Sequence, residues 1–468
     1  MALTTIGDRL TPSIPIQITF DAQKLAVGTK VTTLIGHCTT SPSLEPNSIH
    51  EIIDIGDSTS AQLEVDGLAG QGSEIGKMAK AFIDANALAG RATFPAFRVL
   101  MLANGDTGVA AEGVEKLKAL RSDMIVSPYP VGSAANNGLL DLVEFISGPD
   151  RDLQGQFGSF LTVGSLDPIS VVQTYTYNSQ KLIIASLPDT STTPLQFTGD
   201  TASGSPQVAN LDSLEVQIGQ MVQSSAIVGG SATILSVDLV AKTLTLSSNV
   251  NVSGSGTQFT AMASASAQPA NIVAAAHAGA MMASTFPYNP LKGVVVGGLV
   301  PPSKMSDRVQ IDPFGSSEAL LRAGVSPMYV APGNKVALIK TRTSYKLLPD
   351  GVTAVTDYNA WQQLVTLNDF RESLYQVCQN PPFNNNPGGT KASLTVANAL
   401  LGEFVRLALS FEDQGAFQGV KSLVKEFEVE PSPLRRGRFD FRLPVNVLPD
   451  LDVVAINVFS TTKFDFTL

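Results

Sequence analysis

The sequence predicts a multidomain α+β protein. A Rossmann-like alternating α/β domain is interrupted by an antiparallel β insertion and followed by a C-terminal α+β domain, with extended strand arms at both chain ends. Three observations carry this prediction. Apolar strand-like runs alternate with helical patterns up to about residue 187 and resume near 270. Charge almost vanishes over 191–268, where Ser, Thr, Gly and Val dominate. Both termini alternate apolar and polar residues with period two, the signature of a strand with one buried face. The division that follows is an arm over 1–24, an α/β domain over 25–190 and 269–334, an inserted β domain over 191–268, an inner α+β domain over 335–452, and a closing arm over 453–468.

Taken in order, the first arm sets Ile14, Ile16, Ile18 and Phe20 on one side, with Ser13, Gln17, Thr19 and Asp21 on the other. Such a strand either returns to its own domain or pairs with a neighbour. The runs VTTLIGHC (31–38), FRVLML (97–102), DMIVSP (123–128) and KLIIASL (181–187) read as strands. Helical patterns fall between them at 73–88, roughly 108–121 and roughly 135–147. Apolar strands separated by helices imply a mostly parallel sheet covered by helices.

Within 191–268 the charged side chains are Asp200, Asp212, Glu215, Asp238 and Lys242. VQIGQMVQ, ATILSVDLVAKTLTLSS and TQFTAMA read as short strands between turns. High Ser and Gly content also suits a linker, but the β-branched alternation in KTLTLSSNVNV favours a sheet. Beyond it, 271–286 is a helix of small residues, GVVVGGL (293–299) a buried strand, and SSEALLRAG (316–324) a short helix ending at Gly324. KVALIKTRTSY (335–345) is strand-like. A long helix carries the single tryptophan, Trp361. NPPFNNNPGGT (380–390) is a loop by its turn residues, and a second amphipathic helix spans 393–415. Phe439, Phe441, Leu443, Val445 and Val447 alternate as one closing strand. Val454, Ile456, Val458, Phe464, Phe466 and Leu468 share a parity in the last. Chain ends fray unless pinned, so strand alternation up to residue 468 suggests pairing with another sheet by β-augmentation.

Composition narrows the function. The chain has 468 residues, 44% hydrophobic and 15% charged. No apolar run reaches the 18 or so residues of a membrane span, so membrane insertion is not expected. Large protein–protein contacts are a natural place for the apolar surface. A net charge of −10 argues against direct nucleic-acid binding. The first residues lack the layout of a signal peptide, and Cys38 and Cys378 imply no disulfide framework, which fits a reducing cytoplasm.

The glycine cluster GLAGQGSEIGKM (67–78) raises the question of a phosphate cradle. A P-loop needs glycine where Gln71 stands and a hydroxyl where Met78 stands. The dinucleotide fingerprint needs glycine at Ile75 and a buried strand before it, where AQLEVDGLA is too polar. The alternative is a glycine turn, an N-cap at Ser73, and a helix whose apolar face is Ile75, Met78, Ala79, Phe82 and Ile83. For metal, His37, Cys38 and His50 are the candidates, but a strand-end histidine beside a buried cysteine is the simpler reading. No G-x-S-x-G elbow occurs. Glu412 and Asp413 are adjacent at a helix end and read as a solvated face. The residues present no catalytic set, no cofactor site and no metal site.

The order of the pieces resembles the contractile tail sheath protein of myoviruses, most closely the Mu-like type. The stretches that carry the resemblance are GQGSEIGKMAKAFIDAN, RDLQGQFGSFLTVGSLDPISVVQTYTYNSQKLIIAS, LKGVVVGGLVPPSKMSDRVQIDPFGSSEALLRAGVSPMYV, VALIKTRTSYKL with LNDFRESLYQV, and the C-terminal GAFQGVKSLVKEFEVEPSPLRRGRFDFRLPVNVLPDLDVVAINV. They span most of the chain outside 191–268. The insertion and the tail FSTTKFDFTL depart from the pattern. The insertion is loosely similar to β modules that decorate phage virion proteins, which would put it on the outer surface.

The resemblance implies a virion structural protein, made in the host bacterial cytoplasm. It would polymerise with itself around a tail tube protein, meet baseplate and tail terminator proteins, and contract during genome ejection without an active site. Candidate tube-facing residues are Arg406, Lys421 and Lys425, because a contact that must break suits a few charges better than a large apolar patch. Two other readings stand beside it: a doubly wound nucleotide-binding enzyme with an inserted β domain, and a tail adhesion protein.

Overall fold

The computed structural model describes residues 30–39, 49–52, 58–88, 97–131 apart from 110 and 121, 160–188 apart from 168–171 and 173, 194–302 apart from 263–265, 267, 287 and 289–290, 316–355, 359–379, 390–431 and 439–448. Both predicted arms and the helix expected at 135–147 lie outside these residues.

The first part of the chain gives β1 (Thr32–His37), β2 (Ile49–Ile52), α1 (Ser58–Ala69), α2 (Glu74–Leu88), β3 (Phe97–Leu102), α3 (Ala111–Ala119), β4 (Met124–Val126), β5 (Phe160–Gly164) and β6 (Leu182–Ser186). The second part gives six strands: β7 (Leu195–Thr201), β8 (Gln207–Ala209), β9 (Met221–Gln223), β10 (Ser231–Asp238), β11 (Thr243–Leu246) and β12 (Gly254–Ala261). Next come α4 (Ala270–Met282), α5 (Ser316–Arg322), β13 (Val325–Ala331) and β14 (Lys335–Leu338). The C-terminal part holds α6 (Ala360–Gln379), α7 (Thr390–Asp413), β15 (Phe417–Gln418), α8 (Val420–Leu423), β16 (Glu428–Pro431), β17 (Phe439–Arg442) and β18 (Asn446–Val447).

The first eight-stranded sheet has the order β14-β13-β6-β5-β4-β1-β3-β2. The pairs from β13 through to β3 are parallel, and β2 and β14 join the two edges antiparallel. The strands are buried on both faces, as their apolar runs require. Leu34, Val99, Met101, Val126 and Ile183 face α1, α2 and α4; Ile35, Leu100, Leu102, Ile125 and Ile184 face α3 and α5.

Seven of the 13 residues of helix α4 are Ala or Gly, and nearly all of the helix is buried. The size is dictated by approach. A Cβ on Gly164 would fall on the Ala270 backbone, and one on Gly279 would fall on the Phe82 carbonyl of α2. This lets α4 lie between the sheet and α2 with backbone nearly touching backbone. It buries His277 completely, with Nε2 3.2 Å from Thr341 Oγ1. Burial pushes that imidazole down to about 3, so it is neutral.

The insertion closes into an antiparallel barrel, β10-β11-β8-β7-β12-β9, with β9 bonded to β10 and β12. Its core is its own, centred on stacked Phe197 and Phe259 with ring centroids 5.3 Å apart. The linker reading of this segment does not hold.

Several expectations need correction. The run 293–299 is not a strand. Val295 makes one bridge to Ala337, and Gly293 and Val296 donate to the outer edge of β14. Gly297 and Gly298 then press on the α2 backbone, where no side chain fits. The segment thus covers a sheet edge. The strand expected over 335–345 stops at Leu338. Lys340–Ser344 continue as a buried polar run, and fully buried Arg342 donates to the Leu321 and Tyr345 carbonyls. Because β14 is the hairpin partner of β13, the first sheet runs across the 334/335 boundary. Only Met221–Gln223 of the run 216–223 is strand, since Gly219 turns the chain at φ 85°. The single strand expected over 439–447 is two short ones with different partners, β17 on β16 and β18 on β15. Helix α1 and edge strand β2 had no clear periodic signal.

Candidate functional site

Parallel sheets in doubly wound folds bind ligands in the crevice beyond the strand carboxyl ends, where the chain order reverses. Here that reversal is at β1, with β3 on one side and β4 on the other. A cavity of about 330 Å³ lies there, between His37 and Cys38 at the end of β1, the N-terminus of α2, and the barrel segment around Val216 and Ile218.

The glycine turn sits beside this crevice. It connects α1 to α2 rather than a strand to a helix, which removes the structural context of a dinucleotide fingerprint. Gly70 and Gly72 take φ of 90° and 76°, and Ser73 Oγ accepts the Gly76 N–H at 3.1 Å, the expected N-cap. The first residue of α2 is Glu74, an acidic side chain in the first turn, where the helix dipole favours negative charge. Its carboxylate accepts from the His37 backbone N–H at 3.1 Å, from His37 Nδ1 and from the Asn271 side chain. His37 Nε2 donates to the Asp106 carbonyl at 2.9 Å, and the Tyr129 hydroxyl reaches the same oxygen at 3.2 Å. Burial works against a charged His37, but the Glu74 carboxylate and the Asp106 carbonyl outweigh it, so its pKa is raised.

This network binds protein to protein: β1, α2 and α4 meet at one carboxylate. The neighbouring Cys38 thiol donates to the Leu102 carbonyl at 3.1 Å, and burial raises its pKa, the opposite of an activated nucleophile. His50 lies on β2 opposite Val99, while His37 lies opposite Leu102. Among the described residues no group of three or more His, Cys, Asp and Glu gathers as a metal site. Sequence reading found His37, Cys38 and Ser73. It missed Glu74, Asp106, Tyr129 and Asn271, which converge from separate elements and share no local spacing.

The second candidate region is the C-terminal helical face. Arg406 on α7 is half-exposed and paired with Glu403 at 2.8 Å, one helical turn away. Lys421 on α8 and Lys425 after it are exposed. Glu412 is not simply solvated. Its Oε1 accepts the Val420 N–H at 3.0 Å and so caps α8, tying the end of α7 to the next turn. The arm residues Ile14, Ile16, Ile18, Phe20, Val454, Ile456, Val458, Phe464 and Phe466 lie outside the described residues. The C-terminal part also holds two short two-stranded sheets, β15–β18 and β16–β17.

No family model and no curated protein matches the chain. Solved structures do match in fold. The sheath tail protein Lin1278 from Listeria innocua aligns with a TM-score of 0.51 at 8% identity, covering 90% of this chain and 92% of that one. A chain of the anti-feeding prophage baseplate aligns at 0.50 and 13% identity, covering 96% and 99%. A chain of the sheath complex of the extracellular contractile injection system PVC, in its contracted state, aligns at 0.50 and 9% identity, covering 92% of each. Nearly end to end, the chain shares the fold of sheath proteins of contractile tails and injection systems.

Proposed function

We propose that this chain is a tail sheath subunit that polymerises into a helical contractile sleeve around a tail tube and drives the tube through the host envelope. The observation that carries the proposal is the fold likeness to a sheath tail protein over 90% of this chain. Heterologous contacts that do not close into a ring build a helix, and an extended lattice held in a metastable state releases work by rigid-body rearrangement. Nothing in that cycle needs an active site. The Rossmann-like frame would be the rigid body, with the barrel on its outer surface. Arms 1–24 and 453–468 would add strands to the two-stranded sheets of neighbouring subunits, which are too small to be stable alone. Arg406, Lys421 and Lys425 would face the tube, with baseplate and terminator proteins at the sleeve's ends. The location would be the virion, after synthesis in the host cytoplasm.

Negative-stain microscopy of the purified protein tests this, with striated hollow cylinders expected. Stable monomers at high concentration would overturn it. Deleting 454–468 should abolish polymers while circular dichroism keeps its α/β signal; normal polymers would remove the augmentation idea. The enzyme alternative requires nucleotide-dependent thermal stabilisation, and Glu74 puts a negative charge in the first turn of α2, which disfavours a phosphate there.

A further inference from the structure

Lys30 is the first described residue and leads directly into β1. Residues 1–29 join the described fold covalently at Lys30. Its surroundings are unusual for a lysine. The ammonium lies 3.4 Å from the centroid of the Tyr288 ring and 3.8 Å from Asp369 of α6, and Tyr288 donates its hydroxyl to the same Asp369 carboxylate. The ammonium thus sits between a ring face and a buried carboxylate, making a cation–π contact and an ion pair at once. Burial raises the pKa of Asp369, Lys30 and the Tyr288 hydroxyl oppose that by stabilising its charge, and Glu372 and Asp123 add to the rise. The next residue is held as well: the Val31 N–H donates to the Asp123 carboxylate at 2.8 Å.

From this point aromatic rings continue into the C-terminal part. Trp361 of α6 meets Tyr288 edge-on at 6.2 Å, Tyr288 meets Phe286 at 5.7 Å, and Phe286 meets Phe411 of α7 at 5.0 Å. Phe411 then stacks on Phe417 of β15 at 5.1 Å. The path thus runs from the entry of β1 to one of the two-stranded sheets. Along the backbone, a pull at Lys30 would load β1, in the middle of the sheet between β4 and β3.

We propose that Lys30, Tyr288 and Asp369 form a clamp that passes load from residues 1–29 into helix α6 and the C-terminal helices, making Lys30 a positioning residue for the N-terminal arm. The proposal rests on the sheath reading for its load, but the clamp itself can be read separately. Contiguous contacts alone do not establish coupling, and the chain supplies its own reporter. Trp361 is the sole tryptophan, is 3% exposed, and its indole N–H has no hydrogen-bond partner among the described residues. It also lines a cavity of about 30 Å³ together with Lys30, Asp123 and Asp369.

The test compares the full chain with Lys30→Met, which keeps the aliphatic stem, and Lys30→Arg, which keeps the cation on the ring. Lys30→Met should shift Trp361 emission to the red, increase its quenching by acrylamide, and raise the concentration needed for polymerisation about tenfold, a 1.4 kcal/mol effect. Lys30→Arg should stay close to the parent in all three. Lys30→Met polymers at the parent's concentration, or unchanged Trp361 fluorescence, would overturn the clamp. If the parent never polymerises, the sheath reading fails instead. The clamp is then decided by chymotryptic removal of the first residues: faster in Lys30→Met but not Lys30→Arg supports it, and equal rates overturn it.

Discussion

The parallel sheet and the barrel solve the same problem, hiding apolar strands from water, in opposite ways. Sheet strands such as β5 and β6 are buried at every position and need helices on both faces. Those helices come from far along the chain, and α4 and β13 arrive only after the barrel has been completed. The barrel strands instead alternate, as in β7 and β11, with one face inward and one in solvent. Closure gives every barrel strand two partners within about seventy residues, so the insertion needs nothing from the frame to bury its core. Among the described residues several joints link the two. Ile218 packs on both cores, Asn104 donates to Asp238 at 2.8 Å, and the turn at Gly219 lies against Pro130. The contrast teaches that the insertion can vary without disturbing the frame, while the frame cannot give up its late-arriving helix.

The largest expected effect breaks the frame. Gly164→Val puts a side chain where the Ala270 backbone runs, and neither backbone can yield. It should cost more than about 4 kcal/mol or prevent folding, measured by urea denaturation. The barrel should keep its slow hydrogen exchange in that variant; a barrel that unfolds with the sheet would break the comparison. Next, Phe259→Ala removes a fully buried ring from the Phe197 stack and should cost about 3 kcal/mol within the barrel. Protection of β1, β4 and β5 should remain at the parent's level.

The smallest effect per step is in pH dependence, no more than about 1.4 kcal/mol for each pH unit. The chain's histidines are His37, His50 and His277, none of them in the insertion. His277 is held neutral, with its pKa lowered to about 3. The unfolded chain binds a proton there below about 6.5 and the folded chain does not. Stability from this group is therefore present above 6.5 and lost on acidification towards 3, by at most about 1.4 kcal/mol per pH unit. His37 has the opposite sign. Its raised pKa gives stability that is complete below about 6.5 and lost as pH rises through the folded value. His277→Asn should flatten the acid limb of a stability–pH curve followed at the sheet, while the barrel is unchanged across it. An unaltered acid limb would show that His277 is not the group responsible.

The elements that were legible in the sequence are those with a strong local period. The strand at 97–102 and the helix at 73–88, with its Ser73 cap, were found within a residue or so. Helix α1 was missed because its face is weakly apolar, with Leu63 left 66% exposed. The run 293–299 was misread because apolar content alone does not distinguish a buried strand from a segment covering an edge. At the crevice, His37 and Cys38 were recognised in place, but Glu74 gave no signal. Its role depends on Asn271, which is nearly two hundred residues away and is brought near only when α4 packs on α2.

The sequence by itself determined the alternation of strands and helices, the position of the β insertion and the absence of a phosphate-loop pattern, because these follow from periodicity and residue chemistry within a few turns of chain. Tertiary structure alone decided that the insertion closes into a barrel, that the first sheet continues through β14, that Glu74 meets His37 and Asn271 at the crevice, and that Lys30 meets Tyr288 and Asp369. Each of those depends on backbones meeting at distances that only the packed fold sets, as at Gly164 and Ala270, and no local pattern records such a meeting.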